Sequence, residues 1–233
     1  MNRFTQALRL APSVIPDIKC ISPKHGDLLR GRDPVEVTSN FVEWGASVLS
    51  VVTEERNFGG SKQLLRAIVE RTGVPVLCKA FFTTREQLEE VAALGSAAVL
   101  LIVGNLTDTQ LVELYSAAHE LGMDALVEVS NEAEMERAQA LGAPLIGINN
   151  RNIATLELDD GGVARTENIL SAFAENIGDS DLLIVSESGI STPAEARRAK
   201  AAGADAILVG TALWQAEDIE VMYRSLLEVM QNG

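Results

Sequence analysis

Short apolar runs recur along this chain, and five of them stop abruptly on a charged or amide residue. They finish as Ile15-Pro16-Asp17-Ile18-Lys19, Val76-Leu77-Cys78-Lys79, Leu126-Val127-Glu128, Ile146-Gly147-Ile148-Asn149-Asn150-Arg151 and Ile184-Val185-Ser186-Glu187. Runs of this length, rich in β-branched residues, read as strands, and strands that are almost wholly Val, Ile and Leu are those buried on both faces of a parallel sheet. Between them lie amphipathic stretches ending at a glycine that leads straight into the next run, as in Thr72-Gly73-Val74, Leu121-Gly122-Met123 and Leu141-Gly142-Ala143. Glycine just past a helix end takes the left-handed cap conformation at no steric cost. The alternation implies parallel strands joined by crossover helices.

Eight strands are predicted, near residues 14–19, 47–53, 75–79, 97–103, 124–129, 145–149, 182–186 and 206–210. Helices are predicted near 34–44, 60–72, 84–94, 107–121, 131–141, 162–176, 192–202 and 217–231. Asp33-Pro34 and Thr192-Pro193 each supply a cap followed by proline at the first helical position, and Thr107, Ser130 and Asn131 are further cap candidates. The pattern predicts an α/β fold: a single-domain (β/α)8 TIM barrel over residues 1–233, with a short N-terminal segment. A doubly wound open sheet is the alternative, disfavoured because no glycine-rich nucleotide loop follows the first strand. Pro16 is the anomaly, since proline removes a ladder donor; a bulge, or a strand starting at Asp17, would accommodate it.

At 233 residues, nearly half of them apolar, the chain can fill a barrel core. Its net charge of −14, from 19 Lys and Arg against 33 Asp and Glu, argues against nucleic acid or an anionic membrane as partner. A small anionic substrate needs only a local positive cluster. Glu86, Glu89 and Glu90 read as a solvated helix face. Cys20 and Cys78 have no framework spacing and read as small buried hydrophobes of a reduced, cytoplasmic protein. Neither a signal peptide nor a membrane span is visible, and His25 and His119 lack metal-ligand spacing, so no metal site is expected.

Barrel enzymes build their sites at the C-terminal ends of the strands, and charge placed there costs desolvation energy and therefore needs a reason. Lys19 and Lys79 close strands one and three, and Arg151 lies just past strand six. A lysine that loses hydration in a semi-enclosed cavity is expected to fall in pKa and become a usable general acid. Asp17, Glu128 and Glu187 are either bases or the groups that hold the lysines charged and oriented. Asn149 can donate its amide to a hydroxyl or a developing oxyanion. Ser186-Glu187-Ser188-Gly189-Ile190 and Val209-Gly210-Thr211-Ala212 follow strands seven and eight, where glycines let backbone N–H groups approach a phosphate.

Taken in order, these segments resemble the indole-3-glycerol phosphate synthase family from about Val14 to the end of the chain. The resemblance also rests on Ser22-Pro23, Val51-Val52-Thr53-Glu54, Phe58-Gly59-Gly60-Ser61, Cys78-Lys79-Ala80-Phe81 and Leu100-Leu101-Ile102-Val103. It implies a cofactor-free, ring-closing and decarboxylating lyase of tryptophan biosynthesis, acting on 1-(2-carboxyphenylamino)-1-deoxyribulose 5-phosphate. Association with other enzymes of that pathway is a further implication. By the same resemblance Lys79 is the general acid at the substrate ketone, and Lys19 holds the substrate carboxylate. Glu128 works in dehydration, and Asn149 and Glu187 position hydroxyls and lysines. Ser22, Arg151, Ser188, Gly189, Gly210 and Thr211 are substrate or phosphate contacts; Phe58, Phe81 and Leu100 form the apolar wall under the anthranilate ring.

Three departures stand out against the family pattern. Asp17 replaces a glutamate, Ala80 replaces an aspartate beside the lysine, and a longer N-terminal extension with a helix over the mouth is missing, leaving the site more exposed to water. They keep two alternatives in view: a lyase or isomerase on a related sugar phosphate, and a catalytically weak phosphate-binding paralogue with a regulatory or interaction role.

Overall fold

A computed structural model describes residues 3–10, 13–151, 162–174 and 181–232. The strands are β1 (Ser13–Ile18), β2 (Leu49–Val52), β3 (Val76–Lys79), β4 (Ala98–Ile102), β5 (Asp124–Val129), β6 (Leu145–Asn149), β7 (Leu183–Glu187) and β8 (Ala206–Val209). Each pairs in parallel with its neighbours in chain order, and β8 pairs back to β1, so the sheet closes without a free edge. Closure excludes the open doubly wound sheet.

The helices are α1 (Arg3–Arg9), α2 (Pro34–Glu43), α3 (Glu55–Phe58), α4 (Lys62–Thr72), α5 (Arg85–Ala93) and α6 (Asp108–Glu120). They continue with α7 (Glu132–Leu141), α8 (Ala164–Ala172), α9 (Pro193–Ala201), α10 (Thr211–Gln215) and α11 (Ile219–Asn232). The helix expected over 162–176 runs past the described residues at its far end. Of the expected caps, Asp33, Thr107, Asn131 and Thr192 each accept a backbone N–H of the first turn. Ser130 is not the cap of α7; its N–H and hydroxyl both donate to Glu134.

Side chains alternate across each strand. Ile15, Leu77, Leu100, Leu126, Val185 and Leu208 fill the barrel interior, whereas Ile18, Cys78, Leu101, Val127, Ile184 and Ile207 pack outward against the helices. The same parity sends Asp17, Lys79, Glu128, Asn149 and Glu187 inward at the C-terminal rim, and Ser186 and Asn150 outward.

Pro16 does not displace the start of β1. Pairing with β8 covers Ser13 to Pro16, and pairing with β2 covers Asp17 and Ile18, so the proline sits where the strand changes partner. A small antiparallel hairpin, Ile21–Ser22 with Gly26–Asp27, follows β1.

The N-terminal segment forms α1, which closes the floor of the barrel, opposite the mouth. Phe4 and Leu8 are buried among Leu77, Ala97 and Leu126, and the Thr5 N–H donates to the Asp124 carboxylate at 2.9 Å. Burying those two side chains is worth about 1.5–3 kcal/mol each.

Candidate active site

Several charged residues cluster at the mouth, although isolated buried charge is costly. Asp17, Lys19, Glu128 and Glu187 are buried, and the Lys79 side chain is 14% exposed. The ladder register sets their level: Val52 lies beside Lys79, Ile102 beside Glu128 and Asn149 beside Glu187. Lys79 Nζ donates to Glu187 Oε2 at 2.9 Å, and the Asn149 amide donates to Glu128 Oε1 at 3.1 Å. The Ser50 hydroxyl donates to Asp17 Oδ1 at 2.6 Å, and the Trp214 indole N–H holds the Asp17 carbonyl at 2.9 Å. Lys19 Nζ stands 5.4 Å from the centre of the Phe58 ring.

Gly147, one turn of parity below Asn149, makes the central pair possible. A Cβ there would lie 1.9 Å from Glu187 Oε1, so any larger residue would displace the carboxylate that holds Lys79.

The expected fall in the Lys79 pKa is reversed. Burial does oppose its charge, but the attraction of Glu187, Asp17 and Glu128 outweighs burial and lifts the ammonium well above its ordinary range. Lys79 is therefore held as the charged ammonium. Such a group acts first by stabilising negative charge that develops beside it, with proton transfer following. Cys78, the neighbour facing out of the barrel, is fully buried, and burial pushes its thiol up to about 11. Burial also raises the half-buried Cys20 thiol.

The mouth has two compartments that share Asp17, Lys19 and Lys79. One, of about 450 Å³, is walled by Phe58, Phe81, Leu100 and Ile102, with Glu54, Glu128 and Asn149 at its edge. The other, of about 870 Å³, is lined by Arg151, Ser188, Gly189, Gly210, Thr211 and His25 among others. An apolar slot suits a flat ring, and a polar chamber carrying cations and glycines suits an anionic group. No group of three or more His, Cys, Asp or Glu arranged to hold a metal occurs among the described residues.

The sequence of this chain matches the family model described as indole-3-glycerol phosphate synthase over residues 1–226. A protein of that name from Pyrococcus furiosus is 41% identical over 227 residues, covering 97% of this chain and 96% of the relative. One from Thermococcus kodakarensis is 40% identical over 228 residues, covering 97% of both. A third, from a Nocardioides species, is 42% identical over 217 residues, covering 93% of this chain and 80% of the relative. The chain belongs to the indole-3-glycerol phosphate synthase family.

Of the residues singled out from the sequence, most line one or both compartments: Asp17, Lys19, Phe58, Lys79, Phe81, Leu100, Glu128, Asn149, Arg151, Ser188, Gly189, Gly210 and Thr211. Two do not line either. Glu187 is fully buried behind Lys79, and Ser22 is 1% exposed in the hairpin after β1. Ser50, Glu54, Gly147, Ile102 and Trp214 also build the mouth, although the sequence pattern assigns none of them a role. Glu54 carried a signal: it follows an apolar strand and precedes α3, whose N–H groups at Arg56, Asn57 and Phe58 it caps. Trp214 carried none, because its bond to Asp17 joins residues 197 positions apart.

Asp17, one of the departures from the family pattern, is closely packed. A Cβ on Gly210 would lie 3.1 Å from Asp17 Oδ2, so this carboxylate packs closely against the β8 exit.

Proposed function

We propose that this mouth performs the reaction of its family, the closure of the indole ring of 1-(2-carboxyphenylamino)-1-deoxyribulose 5-phosphate with loss of carbon dioxide and water. The class is a decarboxylating carbon–carbon lyase of tryptophan biosynthesis. The observation that carries this reading is the paired mouth: an apolar slot and an anion chamber, with charged Lys79 common to both.

The aromatic ring rests on Phe58, Phe81 and Leu100, with its carboxylate toward Lys19. The phosphate lies between Ser188-Gly189 and Gly210-Thr211, with Arg151 supplying positive charge and Ser22 behind. The ring carbon bearing the carboxylate attacks the ketone carbon, and the carbonyl electrons move onto the oxygen beside Lys79. Lys79 stabilises that alkoxide and transfers its proton. The bond to the carboxylate then breaks, carbon dioxide leaves, and its electron pair restores the aromatic ring. In dehydration the hydroxyl takes a proton from the Lys19 ammonium and departs as water, while the neighbouring carbon loses its proton to Glu128. Asn149 orients Glu128, and Glu187 with Asp17 holds Lys79 charged.

The supporting chemistry is complementary charge: a substrate with two anionic ends enters a mouth that gathers Lys19, Lys79 and Arg151 within an acidic protein. The same reading takes residues 1–233 as one barrel domain acting in the cytoplasm, where association with other enzymes of the pathway would pass its product on; co-sedimentation with those enzymes tests this. No helix among the described residues is long and apolar enough to cross a membrane.

The test of the reaction is a turnover assay with this substrate, following indole fluorescence and carbon dioxide together. Equimolar release of both supports the synthase. Substrate binding without either product would replace it with a phosphate-binding paralogue, and a different product with a lyase or isomerase.

A further inference from the structure

Asn149 points into the mouth, but the next residue, Asn150, points outward by strand parity and is 7% exposed. Its side chain is nevertheless bonded on every side. The amide nitrogen donates to the Ser186 hydroxyl at 3.0 Å, the Glu187 carbonyl at 3.0 Å and the Ser188 carbonyl at 3.3 Å. The amide oxygen accepts from the backbone N–H and from the hydroxyl of Thr166 on α8, each at 3.0 Å. The Thr166 and Ser186 hydroxyls lie 2.8 Å apart and complete the buried network, while the Asn150 backbone N–H donates to the Glu187 carbonyl at 2.9 Å.

The segment tied down in this way is unusual. Ser188 has φ 60, the left-handed region that costs a residue with a Cβ about 1–2 kcal/mol. Gly189 follows with φ 71, and its carbonyl accepts from the Gly162 N–H at 3.0 Å. A Cβ on Gly189 would lie 2.5 Å from the Gly162 carbonyl oxygen and 3.3 Å from the Asn150 Cβ, so the turn is clamped from both sides. Both residues line the anion chamber.

We propose that Asn150 is the positioning residue of the phosphate cradle: it ties the strained exit turn of β7 to β6 and α8, and so fixes the Ser188-Gly189 backbone where a phosphate monoester is received. The inference rests on the reading that this turn and Gly210-Thr211 form the phosphate site. Only an amide of this length fits, because its two N–H groups must be shared among acceptors on β7 and its exit turn while its oxygen accepts from α8. Aspartate has no donor for those acceptors, and alanine has neither function. Without the tie, Ser188 relaxes toward an ordinary backbone conformation and its neighbours' N–H groups swing away from the chamber.

The test uses Asn150→Asp and Asn150→Ala in the full chain, with inorganic phosphate and the phosphorylated substrate as probes. The expected result is a rise of roughly tenfold or more in the phosphate Kd and in KM, with kcat within about threefold of wild type. A residue that merely supports the fold would lower Tm and leave KM and the phosphate Kd of the folded fraction unchanged, which overturns the proposal, as does a fall in kcat at unchanged KM. Should both variants fail to fold, Thr166→Val and Ser186→Ala each remove one link, and each is expected to raise the phosphate Kd about two- to fivefold; an unchanged Kd in both overturns the proposal. Gly189→Ala separates the two readings. Weakened phosphate binding in Gly189→Ala beside unaltered binding in the Asn150 variants overturns the tie alone; unaltered binding in all of them overturns the cradle with it.

Discussion

Strand β5 carries a buried carboxylate at each end, Asp124 at the floor and Glu128 at the mouth, both facing into the barrel. Asp124 accepts the Thr5 N–H, one of the donors that a helix start leaves without an internal partner, and so pins α1 under the core. Glu128 accepts from the Asn149 amide, borders an open cavity and contributes to the charge around Lys79. The two residues are alike in chemistry and burial. What differs is the occupant of the remaining space: the buried face of a helix at the floor, room for a ligand at the mouth. We read buried charge in this fold as structural where the chain fills the volume beside it and as chemical where a cavity does.

This contrast predicts that floor substitutions change stability alone and mouth substitutions change rate. Glu128→Gln keeps an acceptor for Asn149 but removes the proposed base; kcat is expected to fall by about 10²–10⁴ with Tm little changed, as steady-state kinetics and thermal unfolding will show. Near-normal turnover would erase the distinction between the two ends. Phe4→Ala empties the floor and should cost about 3–5 kcal/mol in denaturant unfolding, with kcat of the folded enzyme unaltered.

Cys78 lies between the two ends, and its effect is read through pH. Its thiol is raised by burial from 9.0 to about 11. The stability linked to the neutral thiol is fully present below pH 9 and is lost as pH rises through about 11, because the unfolded chain gives up that proton first. The loss amounts to about 2–3 kcal/mol. Lys79, also raised from its ordinary 10.5, acts in the same direction as pH rises above that value. Subtracting the unfolding profile of Cys78→Ala from that of the wild type should isolate the thiol; a flat difference between pH 8 and 11 would contradict its burial. The smallest effect is expected of Asp124→Asn, which weakens the hold on Thr5 by about 0.5–1.5 kcal/mol and leaves kcat alone.

Much of this organisation was legible in the chain. Strand parity announces itself wherever an apolar run ends on a charge, so Lys79, Glu128, Asn149 and Glu187 could be placed at the mouth from the pattern. The closed barrel followed from eight repeats of one unit. What escaped depends on contacts between distant residues or on the sum of opposing charges. The floor helix α1 is seven residues long, too short for periodicity to stand out, and it is held by the core that it plugs. Gly147 reads as an ordinary strand glycine until Glu187 is seen above it. The Lys79 pKa was expected to fall because burial could be anticipated from the cavity, whereas three converging carboxylates from β1, β5 and β7 are visible only once the barrel closes.

The most direct test of the account is Lys79→Gln, checked for native folding by circular dichroism and then mixed with the carboxyphenylamino-deoxyribulose phosphate in excess of the substrate. Calorimetry should give a substrate Kd within about threefold of wild type, and single-turnover fluorescence should show indole glycerol phosphate forming about 10³-fold or more slowly. Product formation at near wild-type rate in the folded variant would contradict the assignment of Lys79 as the group that takes up the developing charge.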